Sequence, residues 1–221
     1  MPIQQFFDPS LYGIEFIYTI LVVILCALVY FKTKEAYDLT KYKGIKYFRN
    51  AFLFFGLAYL ARFLLHIITF TVFAFDFFVP RRLFFPIAMI PVGYLSTLAI
   101  FYLTYSLVWK KINYPYFFLF SNIIAILVSI AAFVSRSHIL LTGLQIILLL
   151  FTGVISLSKH SKGKKKYHAR GLYLLITIFW VISLFLIGPN RFLPYEIKAL
   201  FQVLSIIVFF TIYYKVIKWI K

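Results

Sequence analysis

Arg62 stands near the middle of an apolar run, Tyr47 to Asp76, with Tyr59 one turn before it and His66 one turn after. A bilayer core takes about 20 helical residues to cross, so Arg62 falls close to the midplane of this run. A charge at that depth is costly and is retained where a partner or a water-filled cavity accepts it. Spacings of three and four put Tyr59, Arg62 and His66 on one helix face. A guanidinium, an imidazole and a phenol on one face call for a carboxylate from another helix, a water or a bound anion.

The chain offers few polar residues at matching depth. Glu15 lies about a turn inside the first apolar run, and Glu196 opens the last one, with Gln202 deeper on the same helix. Gln145 is two turns into the fifth run, and Tyr94 is in the corresponding half of the third. Together with Arg62, His66 and Tyr59 these residues are the candidate ligand-binding set, lining a polar pocket that opens outward. The competing reading is that Arg62 is locked to Glu15, to Glu196 or to backbone carbonyls and only registers the helices, a role buried pairs also serve. Beside a guanidinium, protonation of His66 is disfavoured. No second His or Cys accompanies His66, so no metal and no cofactor are expected.

Seven apolar runs must position these residues: roughly 11–31, 49–75, 84–109, 114–134, 138–158, 171–188 and 195–217. The expected fold class is therefore all-α, a single polytopic bundle of seven transmembrane helices. Punctuation agrees. Asp8-Pro9-Ser10 and Asn113-Tyr114-Pro115 are start signals, Gly188-Pro189 is a stop, and Ser135-Arg136-Ser137 leaves a tight turn between antiparallel neighbours. Seventeen basic residues fall on one side of the bundle, mainly in segments 32–50 and 159–170 and in the tail, against five on the other: Arg81, Arg82, Arg136, Arg191 and Lys198. The positive-inside rule then puts the N-terminus outside and the C-terminus in the cytoplasm, as an odd number of spans requires. Tyr and Trp residues gather at both ends of the spans, the belt expected at headgroup level.

Other features are read more plainly. Pro91, with Gly93 after it, removes a hydrogen bond from the third span and bends it, for packing or as a hinge. The densest basic cluster includes Lys164, Lys165 and Lys166, which suit anionic lipid headgroups, although the topology signal alone accounts for it. Lys46-Tyr47-Phe48-Arg49-Asn50 echoes Lys166-Tyr167-His168-Ala169-Arg170. A 3+1+3 pair of parallel repeats would produce that echo, and so would shared interface chemistry.

Composition fixes the class and excludes others. Of 221 residues, 63% are hydrophobic and 13% charged, against about 45–50% and 25% in ordinary soluble domains. The net charge of +17 marks topology here and not a nucleic-acid partner, because the basic clusters are short and flanked by spans. The one cysteine, Cys26, lies in an apolar run, so no intrachain disulfide is available. The start, MPIQQFFDPS, lacks the basic region of a secretory signal. No His/Cys cluster, Gly-rich phosphate loop or Ser-His-Asp set is present, and no enzyme is expected. Lys198, the only lysine near the interior of the last span, is too shallow for a retinal site, and the first, second, fifth and sixth spans lack the central prolines of the small sugar transporters. No array of arginines suits a voltage sensor.

The segment Lys32-Thr33-Lys34-Glu35, continuing through Leu39-Thr40-Lys41-Tyr42-Lys43-Gly44-Ile45-Lys46 into Phe54-Phe55-Gly56-Leu57-Ala58-Tyr59, resembles uncharacterised multi-pass membrane proteins of archaea. The resemblance implies seven helices and a place in the cytoplasmic membrane, and it carries over no activity or site. Two functions fit: a membrane-embedded sensory or ligand-binding module, which needs a signalling partner or a second copy because it lacks an output domain, and a transporter of small solutes or ions.

Overall fold

The computed structural model describes residues 9–75, 81–110, 116–135, 137–158, 164–187 and 195–220. Among them are seven α-helices: α1 (Pro9–Thr40), α2 (Lys43–Ala74), α3 (Arg81–Val108), α4 (Phe117–Ser135), α5 (His138–Ser158), α6 (Lys164–Ile187) and α7 (Tyr195–Ile220). Six are long and apolar enough to cross a membrane; α6 contributes a shorter apolar stretch, Gly171–Leu186. That is the build of a multi-pass membrane protein. The start signal at Asn113-Tyr114-Pro115, the stop at Gly188-Pro189 and residues Arg136 and Arg191 lie outside the described residues, as do the side chains of Arg81 and Arg82.

The helices differ most from the sequence expectation between the first two spans. Segment 32–50 reads as a basic loop, yet α1 runs on to Thr40 and α2 begins at Lys43. Each is 32 residues long, about 48 Å, against a hydrocarbon core of about 30 Å. The last turns of α1 and the first of α2 therefore stand clear of the apolar layer as a helical hairpin carrying Lys32, Lys34 and Lys46. Charged residues do not break a helix where water can solvate them. The reversal is made by Lys41, whose φ of 52° is left-handed, a conformation that costs a non-glycine residue about 1–2 kcal/mol.

Neighbours around the bundle are α1–α2, α2–α3, α3–α5, α5–α6, α6–α7 and α7–α1, so six helices close a ring; α4 packs outside it, on α3 and α5. Two glycines permit close approach. A Cβ at Gly56 of α2 would come within 3.0 Å of the Cys26 Cβ of α1, and one at Gly93 of α3 within 3.2 Å of Leu141 of α5. This is how membrane helices reach tight packing without a hydrophobic drive between them.

Two stripes set the interior. Phe48, Phe52, Phe55, Tyr59, Arg62 and His66 of α2 recur every four and three residues, and so do Lys198, Gln202, Ser205, Phe209, Ile212 and Val216 of α7. That spacing is the seam of helices crossing at about 20°. The outward surface is as apolar as the core: Ile24, Leu57, Leu127, Leu150, Ile178 and Val203 are all exposed. Thr19, Thr33, Ser96 and Ser129 are buried instead, and their hydroxyls donate to carbonyls a turn back on their own helices, which satisfies them without a partner helix.

Candidate functional site

Glu15 sits six residues into α1, about 9 Å from its start, where α1 runs beside both α2 and α7. The Lys198 ammonium donates to its Oε1. On the other oxygen, Arg62 Nη2 stands 3.9 Å from Oε2 and His66 Nε2 stands 3.7 Å from it. Arg62 is about 18 Å from the end of α2 and Lys198 about 5 Å from the start of α7. Their long side chains reach toward one another along the helices to meet the same carboxylate. One acid and three basic groups thus converge from three helices.

The pairing is uneven. Charge-assisted hydrogen bonds between nitrogen and oxygen run about 2.7–2.9 Å, so Lys198 is bonded and Arg62 is not. Among the described residues the Arg62 guanidinium makes no hydrogen bond; its Nη1 is buried and has no acceptor. The group is nevertheless largely out of solvent, with 13% of the side chain exposed against 12% for Glu15. An arginine so placed keeps five donors in a planar fork and uses them poorly.

Toward the bundle interior comes a layer of hydroxyls. Tyr18 of α1 and Ser205 of α7 share a hydrogen bond of 2.9 Å, with Gln202 buried one turn from Ser205. Tyr59 is buried beside them, its ring edge-on to Tyr18, and among the described residues its hydroxyl has no hydrogen-bond partner. Beyond the hydroxyls the interior is closed by rings. Phe55 stacks on Trp180 at 4.6 Å and 7°, Phe52 packs against Trp180 and Phe209, and Phe179 packs against Phe55 and Phe209. Such pairs add about 0.5–1.5 kcal/mol each beyond area burial, and together they form a floor under the polar layer.

The structure divides the sequence candidates. Glu15, Arg62 and His66 meet at one carboxylate, and Tyr59 and Gln202 lie in the adjoining layer of the α2 and α7 stripes. Gln145 and Tyr94 do not join them. Gln145 Nε2 donates to Ser96 Oγ at 2.7 Å and Thr97 Oγ1 at 3.1 Å, tying α5 to α3, and the Tyr94 hydroxyl donates to Asn122 Oδ1 of α4. Glu196 is exposed in the first turn of α7, where a negative charge suits the helix dipole. Lys164, Lys165 and Lys166 open α6, but their side chains lie outside the described residues. Among the described residues no three His, Cys, Asp or Glu gather as a metal set.

Lys198 is the site residue that sequence reading missed. A lysine four residues into a span counts with the basic residues of the outer side, and Lys198 is instead buried in the bundle, 5% exposed. The available signal was the stripe itself: Lys198, Gln202 and Ser205 are polar and share one face of an otherwise apolar helix. Tyr18, the other missed residue, carries no comparable mark, since tyrosine is abundant here.

No family model matches the chain, and no solved structure matches it. It is similar to a protein of Archaeoglobus fulgidus described as uncharacterized, with 29% identity over 223 residues that cover 95% of this chain and 96% of that protein. The likeness thus runs nearly end to end and agrees with the archaeal resemblance of the first two spans. It adds no activity.

Proposed function

We propose that the protein is a non-catalytic, membrane-embedded ligand-binding or sensory module of the cytoplasmic membrane, with a polar pocket around Arg62 that opens to the outside. The observation that carries this reading is the stand-off of the guanidinium: 3.9 Å from a carboxylate whose other oxygen Lys198 holds, with Nη1 buried and unbonded. A residue kept only to register helices would be expected to close that gap, because an intramembrane charge is repaid only by good geometry. The aromatic floor supports binding over passage, since it fills the bundle between the polar layer and the opposite face.

A second reading, transport of a small solute or ion, draws on helix order. The ring places α1–α3 against α5–α7 with α4 outside, the 3+1+3 plan of duplicated carriers. Accessibility tests the preferred reading. In a Cys26→Ala background, His66→Cys should react with a membrane-impermeant thiol reagent added to the N-terminal side of sealed cells, and solute should not cross reconstituted vesicles. Labelling only from the C-terminal side overturns the outward pocket, and flux abolished by Arg62→Ala shifts the assignment to transport.

A further inference from the structure

Resting on the binding reading, we propose that the ligand is a small monocarboxylate whose carboxylate is taken by Arg62 Nη1 and the Tyr59 hydroxyl. The two donors sit one turn apart on the same stripe of α2, both are buried, and neither has an acceptor among the described residues. Tyr59 is 2% exposed. The Tyr18 and Ser183 hydroxyls interact with it without making a hydrogen bond to it; they are bonded to Ser205 at 2.9 Å and to the Phe179 carbonyl at 2.9 Å.

The chemistry of the occupant follows from what these groups lack. The guanidinium can only donate and the phenol can donate, so one acceptor completes both at once; an ammonium could reach the phenol oxygen alone and would leave the guanidinium nitrogen orphaned, at a cost that buried polar groups rarely carry. One of the two is a guanidinium with no bonded counter-charge, so a single negative charge completes it and a dianion would oversupply it. A carboxylate has two oxygens, one to accept from the guanidinium nitrogen and one from the phenol, and the charge strengthens both bonds. Phe55, one turn below Tyr59 and packed on its ring at 5.0 Å, bounds the two donors with an apolar wall. The acid can come from water or, as a fatty acid, from the bilayer itself.

Thermal unfolding of the purified full chain in detergent separates the cases. Acetate should raise the Tm saturably over the same concentration of chloride, by linkage, and acetamide should not. Tyr59→Phe, which keeps the ring, should weaken the apparent affinity about tenfold, and Arg62→Gln should abolish the response. Decanoate acting at far lower concentration than acetate, with the same dependence on Tyr59 and Arg62, assigns the acid to the bilayer and upholds the carboxylate. The proposal is overturned if acetamide or methylammonium stabilises as well as acetate does, or if the acid response survives in both variants; binding as such then stands. If no solute stabilises the chain and His66→Cys is unreactive from the N-terminal side, the binding reading falls with it.

Discussion

The Gln145 seam between α3 and α5 and the Glu15 cluster between α1, α2 and α7 are both polar sets inside an apolar bundle, and they are completed differently. Gln145 spends its amide on two hydroxyls at 2.7 and 3.1 Å, and Ser96 passes its own proton to the Val92 carbonyl at 2.6 Å. That circuit closes on itself. The Glu15 cluster does not close at Arg62: one carboxylate oxygen is bonded to Lys198, while the guanidinium stands 3.9 Å from the other and its Nη1 has no acceptor among the described residues. Depth in the membrane therefore does not by itself mark a functional site. A polar set with its hydrogen bonds made is packing; on the proposed binding reading, a set that leaves a buried guanidinium nitrogen without an acceptor is where a ligand fits.

The largest effect expected from this contrast is at Glu15. Glu15→Gln keeps shape and volume but removes the charge that Lys198, Arg62 and His66 surround. Removing one partner of a buried ion set leaves uncompensated charge and costs about 3–5 kcal/mol. Unfolding in a graded mixture of denaturing and mild detergent should show a loss of that order. A loss below about 1 kcal/mol, the range of an exposed pair, would mean that water already solvates the cluster.

The two regions were not equally legible. Tyr59, Arg62 and His66 share a face by spacing alone, and Glu15 was at the right depth to meet them. Gln145 and Tyr94 were at the right depth too, yet they belong to the other side of the ring. Depth can be read because hydropathy bounds each span, but the direction a helix faces cannot. In a soluble protein the apolar stripe identifies the core side; here Leu57 and Leu150 face lipid and Phe52 and Leu149 face the interior, and nothing in their chemistry separates the two. Polar residues alone report direction, and only where several share a stripe, as Lys198, Gln202 and Ser205 do. The closure of α7 onto α1 is a contact between chain ends that no local pattern encodes. The hairpin of α1 and α2 was hidden for the opposite reason: charge marks the end of the apolar layer, not the end of the helix.

A smaller effect is expected at the closed seam. Gln145→Leu removes the amide; Ser96 keeps its bond to the Val92 carbonyl, and the buried Thr97 hydroxyl loses the bond it accepts from Gln145. Interhelical hydrogen bonds in membranes average about 0.6 kcal/mol and reach about 1.7. The same detergent titration should give a loss inside that range, and the solute dependence of the Tm should be unchanged. A change in that dependence would join the two regions into one site and break the comparison.

The smallest effect on stability, and the sharpest test, is at Arg62 itself. A guanidinium that contributes by registering helices should be costly to remove; one held 3.9 Å from its counter-charge with an orphaned nitrogen contributes little. Arg62→Leu leaves Glu15 bonded to Lys198, so no charge is stranded, and it exchanges a poorly paired charge, whose desolvation is weakly compensated, for apolar volume. Its expected stability lies within about 1 kcal/mol of the wild type, on the stable side, while the response to ligand is lost. Stability and function then move in opposite directions at one residue, the pattern of a group kept for binding at the expense of packing. A loss of 3 kcal/mol or more, comparable to Glu15→Gln, would instead show that the guanidinium and the carboxylate act as one structural unit, and the Glu15 cluster would become a second packing seam like that of Gln145.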